Sequence, residues 1–220
     1  MSQTRIKICC IQDAEEVKPA VRCGASALGF VSAMPSGPGP IAEDLIAKIV
    51  PTVPPGVASF LLTSKQDVAS IIEQQRRLRT SVLQIVDAVS IETLQELRHA
   101  LPGIGLVQVI HVRGTESVDE AVSIAPHVDA ILLDSGNPSL PVKVLGGTGK
   151  THDWALSKEI VDRCGKPVFL AGGLKAENVR GAIERVRPYA VDVCSGVRTN
   201  GLLDEKKLVA FMEAVLNSAD

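Results

Sequence analysis

Four short stretches hold side chains that could do chemistry together. A thiol, Cys9, closes the first apolar run, and a carboxyl, Asp134, closes the sixth, "AILLD". Glycine-containing turns follow two later runs, at Ala171-Gly172-Gly173 and at Cys194-Ser195-Gly196. A thiol and a carboxyl on separate strands can serve as base and acid across a shared opening. Glycine turns leading into helices can present backbone N–H groups to a phosphate. Each feature alone has an ordinary reading, a small buried hydrophobe or a plain turn, so the expectation rests on their joint placement. The stretch "LGGTGKTHDW" (145–154) ends like a nucleotide-binding P-loop, but that loop needs a glycine five positions before Gly149, and Val144 stands there.

The elements that must position these groups are legible as alternating patterns. Short apolar runs are expected as strands over 6–10, 27–32, 58–62, 82–86, 105–112, 130–134, 167–171 and 190–194. Between them, amphipathic patterns predict helices over 14–23, 42–49, 65–77, 91–100, 118–125, 154–164, 176–186 and 205–216. Eight strand–helix units without a linker-length break predict an α/β protein, a single (β/α)8 TIM barrel spanning residues 1–220, with an open doubly wound sheet as the structural alternative. A chain of 220 residues suits one such barrel. So does a composition 45% hydrophobic but only 3% aromatic, in which Val, Ile, Leu and Ala must build the core. In a barrel the working groups belong at the C-terminal ends of the strands, where the four stretches fall.

Composition also excludes classes. A net charge of −2 with evenly mixed signs offers no basic stripe, so no nucleic acid is expected as partner. No segment approaches the ~20 apolar residues of a membrane span, and no secretory signal is visible, so a cytoplasmic protein is expected. Cys9, Cys10, Cys23, Cys164 and Cys194 include no CxxC pair and no accompanying His spacing. Neither a disulfide framework nor a metal site is expected, and the thiols are read as free. His99, His111 and His127 are scattered and read as structural or exposed, with His111, at the end of strand five, the one exception to watch, and the oligomeric state is not readable. The turns after strands seven and eight point to a phosphorylated small-molecule ligand.

With those positions assembled, the chain resembles the phosphoribosylanthranilate isomerase family of tryptophan biosynthesis, which performs an Amadori rearrangement in a (β/α)8 barrel. The resemblance is carried by "KIC" (7–9), "GASALGFV" (24–31), "ILLD" (131–134), "GGTGKTHDW" (146–154), "LAGGLKAENV" (170–179) and "RPYAVDVCSGV" (187–197). It implies Cys9 as general base and Asp134 as general acid. It further implies substrate contacts at Lys7, Gln84, Gly147, Gly172, Gly173, Asp192, Ser195 and Gly196, with no metal and no organic cofactor. A base role for Cys9 requires its pKa to fall below the free value of ~8.5. The 145–154 loop is then read as a lid over the mouth.

Three departures concern the substrate. Where the family carries an arginine after strand two for the anthranilate carboxylate, this chain has "SAMPSGPGPI" (32–41), with Pro38 in its place. Strand four runs Gln84-Ile85-Val86-Asp87 instead of Gln-Leu-His-Gly, and Cys9 is followed by Cys10 instead of glycine. Lys143, Arg113 and Arg198 are candidate substitute cations. A related phosphoribosyl amine as substrate, and a non-catalytic barrel binding a phosphorylated metabolite for regulation, are the alternatives.

Overall fold

A computed structural model describes residues 3–136, 145 and 151–218. Eight parallel strands close on themselves: β1 (Arg5–Ile8), β2 (Ala27–Val31), β3 (Ala58–Thr63), β4 (Val82–Ile85), β5 (Gly105–His111), β6 (Ala130–Asp134), β7 (Val168–Leu170) and β8 (Ala190–Val193). Pairing of β1 with β8, Lys7 opposite Asp192, completes the ring and rules out the open sheet. The helices alternate with the strands as α1 (Ala14–Arg22), α2 (Glu43–Ile49), α3 (Val68–Leu78), α4 (Ile91–Ala100), α5 (Glu116–Ile124), α6 (Trp154–Arg163), α7 (Ala176–Val186) and α8 (Glu205–Leu216). A two-stranded ribbon, β9 (Arg198–Thr199) with β10 (Leu202–Leu203), precedes α8.

Strand periodicity divides the core into two layers. Ile6, Ile8, Leu28, Phe30, Ile131 and Leu133 point outward and pack with helix residues such as Ile46, Ile71 and Phe211. The alternate set, including Ala27, Phe60, Leu62, Val109, Leu132 and Phe169, fills the barrel interior together with Cys9. Several helices start where a side chain accepts an otherwise unpaired N–H: Asp13 from Glu16, Asp67 from Ser70, Ser90 from Thr93, Asp153 from Ala155, and Asp204 from Lys206 and Lys207. These caps fix where each strand-to-helix loop ends.

The strands around the mouth are shorter than the apolar runs. β1 stops at Ile8, leaving Cys9 and Cys10 beyond it, and β8 stops at Val193, leaving Cys194. Apolar character extends past the strands because Cys9 and Cys10 stay buried, while Cys194 is half-buried. Cys10 adopts φ 64°, which ends the extended run. Among the described residues no helix is long and apolar enough to cross a membrane.

The expectation of free thiols is corrected by a disulfide joining Cys10 to Cys194, Cα atoms 5.9 Å apart. These cysteines lie 184 residues apart in sequence, and only closure of β1 against β8 brings them together. Cys9, Cys23 and Cys164 are free.

Candidate active site

One cavity opens at the C-terminal end of the strands. Cys9, Gln84, Asp134, Gly172, Gly173, Asp192 and Ser195 all line it, together with an apolar wall that includes Val31, Met34, Pro38, Leu62 and Val86. The barrel therefore assembles seven of the expected site residues from five different strands or their following turns. Gly147 and the rest of 146–150 in the proposed lid lie outside the described residues, whereas Leu145 lines the cavity and Trp154 opens α6.

Cys9 sits just past β1, its N–H donating to the Val193 carbonyl at 2.8 Å. Its thiol packs so closely on β2 that a Cβ at Gly29 would lie 2.9 Å from Sγ. Burial pushes the thiol up to about 11, Lys7 pulls it down, and Asp192 pushes it up. The expected lowered pKa is thus reversed in the free protein. Lys7 is fully buried and its Nζ donates to Asp192 Oδ2 at 2.9 Å, so its charge is largely spent on a neighbour. Burial disfavours the Lys7 ammonium, but the charges of and hydrogen bonds to Asp192 and Cys9 together more than offset this, and its pKa is raised.

Lys7 is not among the cavity-lining residues and touches them through Cys9 and through Asp192, whose other oxygen, Oδ1, has no hydrogen-bond partner. Gln84, on β4, is also buried with an unpartnered Oε1. Two orphaned acceptors facing one cavity are costly without a donor to satisfy them. Hydroxyl groups of a polyol ligand fit that need.

Asp134 ends β6. Burial raises its carboxyl to about 6, against the pull of the Ser135 N–H, which donates to Oδ1 at 2.7 Å; the Asp192 charge raises it further. A carboxyl in this range can hold a proton near neutrality and give it up.

The phosphate-type turns pack against each other. Gly172 and Gly173 take φ of 84° and 63°, and Asn178 Nδ2 on α7 donates back to the Gly173 carbonyl at 3.0 Å. A Cβ at Gly196 would collide with the Leu174 carbonyl, so Gly196 secures the contact between the turns and is not itself among the cavity-lining residues. The start of α7 and the turn around Ser195 then face the same end of the cavity.

The sequence profile of the N-(5'-phosphoribosyl)anthranilate isomerase family matches residues 6–214. An isomerase of this name from Methanothrix thermoacetophila is 36% identical over 213 residues, covering 96% of this chain and 98% of that protein. The chain belongs to the phosphoribosylanthranilate isomerase family. A second relative of that name, from Methanocella arvoryzae, is 35% identical over 96% of this chain and 98% of its own. The Thermotoga maritima isomerase structure superposes with a TM-score of 0.83 at 30% identity, covering 96% of this chain and 98% of that one. Another isomerase of the family, solved in complex with reduced 1-(o-carboxyphenylamino)-1-deoxyribulose 5-phosphate, gives a TM-score of 0.80 at 28% identity, with 96% and 98% covered.

For this isomerase-family chain the departures now have places. Pro38 lines the mouth, and among the described residues lining the cavity none is Lys or Arg. Arg198 is not the substitute. It is buried, paired with both oxygens of Glu16 at 2.8 Å, and also donates to the Cys9, Cys10 and Gly201 carbonyls. Arg113 is exposed and outside the lining, while Lys143 lies outside the described residues. Cys10, in place of the family's glycine, is held by Cys194 and covered by Gly39, where a Cβ would come within 2.5 Å of the Cys10 Cβ.

His111, noted as structural, is buried with Nε2 3.1 Å from the Val86 carbonyl. Two residues beside the acid escaped the sequence reading: Ser135 and His152. Their only signal was proximity to Asp134 and membership of the "GGTGKTHDW" stretch.

Proposed function

We propose that the protein isomerises N-(5'-phosphoribosyl)anthranilate to its aminodeoxyribulose phosphate, with Asp134 as acid and Cys9 as base. The observation that carries this reading is the shared cavity, lined by a protonatable carboxyl, a thiol, the glycine turns, and Asp192 and Gln84 with their orphaned acceptors.

The phosphate binds backbone N–H groups of the Gly172–Gly173 and Ser195 turns and the α7 start, and ribose hydroxyls donate to Asp192 Oδ1 and Gln84 Oε1. Asp134 gives its proton to the ring oxygen as the C1–O bond breaks, and the nitrogen lone pair forms a C=N bond. Cys9, as thiolate, removes the C2 proton and the C–H electrons become the C1=C2 bond of an enolamine. Ketonisation then moves the hydroxyl proton from O2 and adds one at C1, so no proton is gained or lost overall. The positive charge of the protonated imine acidifies the C2 proton and favours the thiolate beside it. A ribose hydroxyl on Asp192 partly offsets that carboxylate and frees more of the Lys7 field for Cys9.

The aromatic ring lies along Met34, Pro38 and Val86, with its carboxylate at the open mouth. Burying that carboxylate without a cation would cost several kcal/mol. Complementation of a tryptophan auxotroph lacking the isomerase tests the reading. Growth is expected, and it is lost with Cys9→Ala and with Asp134→Asn. Failure of the folded wild type to support growth would overturn it.

A further inference from the structure

Beside Asp134 lies a histidine that the chemistry above does not use. A Cβ built on Gly172 would lie 3.1 Å from His152 Nδ1, 3.1 Å from Ser135 Oγ and 3.2 Å from Asp134 Oδ1. Three polar atoms, from the end of β6 and the connection that follows it, thus converge on one methyl-sized space beside the β7 turn, which only glycine leaves open. Nδ1 is buried and has no hydrogen-bond partner.

The tautomer follows from the other ring nitrogen. His152 Nε2 is 2.7 Å from Ser157 Oγ, and that hydroxyl donates to the Asp153 carbonyl at 3.3 Å. A carbonyl can only accept and a hydroxyl has one proton, so the imidazole supplies the proton of the shorter bond. Nδ1 then carries a lone pair, directed at the space shared with Ser135 and Asp134. The Ser135 hydroxyl reaches Asp134 Oδ1 only loosely, at 3.4 Å, while the Ser135 N–H holds the same oxygen at 2.7 Å.

We propose that His152 is a positioning residue for Asp134, its Nδ1 competing with the carboxylate for the Ser135 hydroxyl proton and so keeping Asp134 in its acid form. When Asp134 is protonated, Oδ1 is a weak acceptor and the hydroxyl turns to Nδ1. When the proton has left for the ring oxygen, the hydroxyl turns back. The N–H on Oδ1 meanwhile leaves Oδ2 as the oxygen that carries the proton. Burial lowers His152 to about 4, so the ring stays neutral through the working range.

Among the described residues, these other groups act here. Asp192 on β8 and Lys7 on β1 bear on Asp134, and Asp153 bears on His152. Cys9 lines the same cavity, and His111, in register with Asp134 on β5, is turned to the Val86 carbonyl. Asp87, past β4, and Arg113, past β5, act on His111. None of these supplies an acceptor at the Gly172 space.

The inference rests on Asp134 as the acid, and its test has a readout independent of turnover. Carboxyl 13C NMR of aspartate-labelled protein, with the Asp134 signal assigned from Asp134→Asn, gives the titration midpoint directly. His152→Phe is expected to lower that midpoint by about one pH unit, a tenfold change in the ionisation constant. His152→Gln, which can present an oxygen acceptor, is expected to keep most of it. In a Ser135→Ala background, His152→Phe should produce no further fall. An unchanged or raised midpoint in His152→Phe, or an equal fall with and without Ser135, overturns the proposal. The low-pH limb of kcat/KM should move with the midpoint. Midpoints that behave as expected in a wild type without isomerase activity would retain this coupling and remove the assigned reaction.

Discussion

Lys7 and Asp192 meet across the β1–β8 seam, Nζ 2.9 Å from Oδ2, with the lysine fully buried. Cys9 stands on the same inward face as Lys7, about 7 Å further along the chain by strand geometry. Because Asp192 raises the thiol that Lys7 lowers, the pair sets how much thiolate Cys9 can form. Asp192→Asn is expected to lower the Cys9 titration midpoint, and Lys7→Met to raise it. The pH dependence of Cys9 alkylation, followed by peptide mass spectrometry, reads both. Lys7→Met also strands the Asp192 carboxylate and should cost about 3–5 kcal/mol in urea unfolding.

Burial raises Asp134 from 3.8 to about 6, with a consequence for stability. A raised folded-state pKa contributes stability fully below pH ~4, and that contribution is lost as pH rises through about 6. Above that range the wild type carries a buried carboxylate that Asp134→Asn removes. The variant should therefore be more stable than wild type at pH 8, by up to about 3 kcal/mol, and gain little at pH 4. Thermal unfolding at the two pH values checks this; an equal effect at both would refute the linkage.

The same groups shape the activity profile. The reaction needs Asp134 protonated, near 6, and Cys9 ionised, near 11, so the productive form is a minor one in free enzyme. The kcat/KM profile is expected to fall below pH 6 and again above pH 11. Free Cys9 should react slowly with iodoacetamide at pH 7.5. Rapid alkylation at that pH would show that the thiol is already activated before substrate binds.

The Cys10–Cys194 bond closes a loop spanning 184 residues of sequence and ties the end of β1 to the turn bearing Ser195. Loop-closure entropy assigns a crosslink of this span about 5 kcal/mol against the reduced chain. Intact mass after denaturing alkylation should show one disulfide, and reductant should lower the thermal midpoint. Cys10→Ala should remove that reductant effect.

Gly172→Ala would place a methyl among His152 Nδ1, Ser135 Oγ and Asp134 Oδ1, at a φ of 84° that disfavours any side chain. Activity is expected to fall at least about a hundredfold, with ΔΔG‡ near 3 kcal/mol. Inorganic phosphate binding, followed by calorimetry, should weaken as well. Gly181→Ala, on α7 with nothing within 4 Å of its Cβ, is the matched control and should leave both unchanged.

The sequence by itself determined the eight-unit barrel, because apolar alternation records locally which face of each strand or helix is buried. It also placed Cys9, Asp134 and the two glycine turns at strand ends, since strand termini are read from the same local pattern. Tertiary structure decided what depends on contacts between distant segments. Closure of β1 on β8 made the Cys10–Cys194 disulfide and the Lys7–Asp192 pair, and it drew Arg198 onto Glu16 and away from any substrate role. It also reversed the expected shift of Cys9, because burial is a property of the assembled core and no spacing along the chain encodes its strength. His152 is the plainest case: in sequence it is one residue before a helix cap, and in the fold it faces the proposed acid across a gap that only Gly172 can leave.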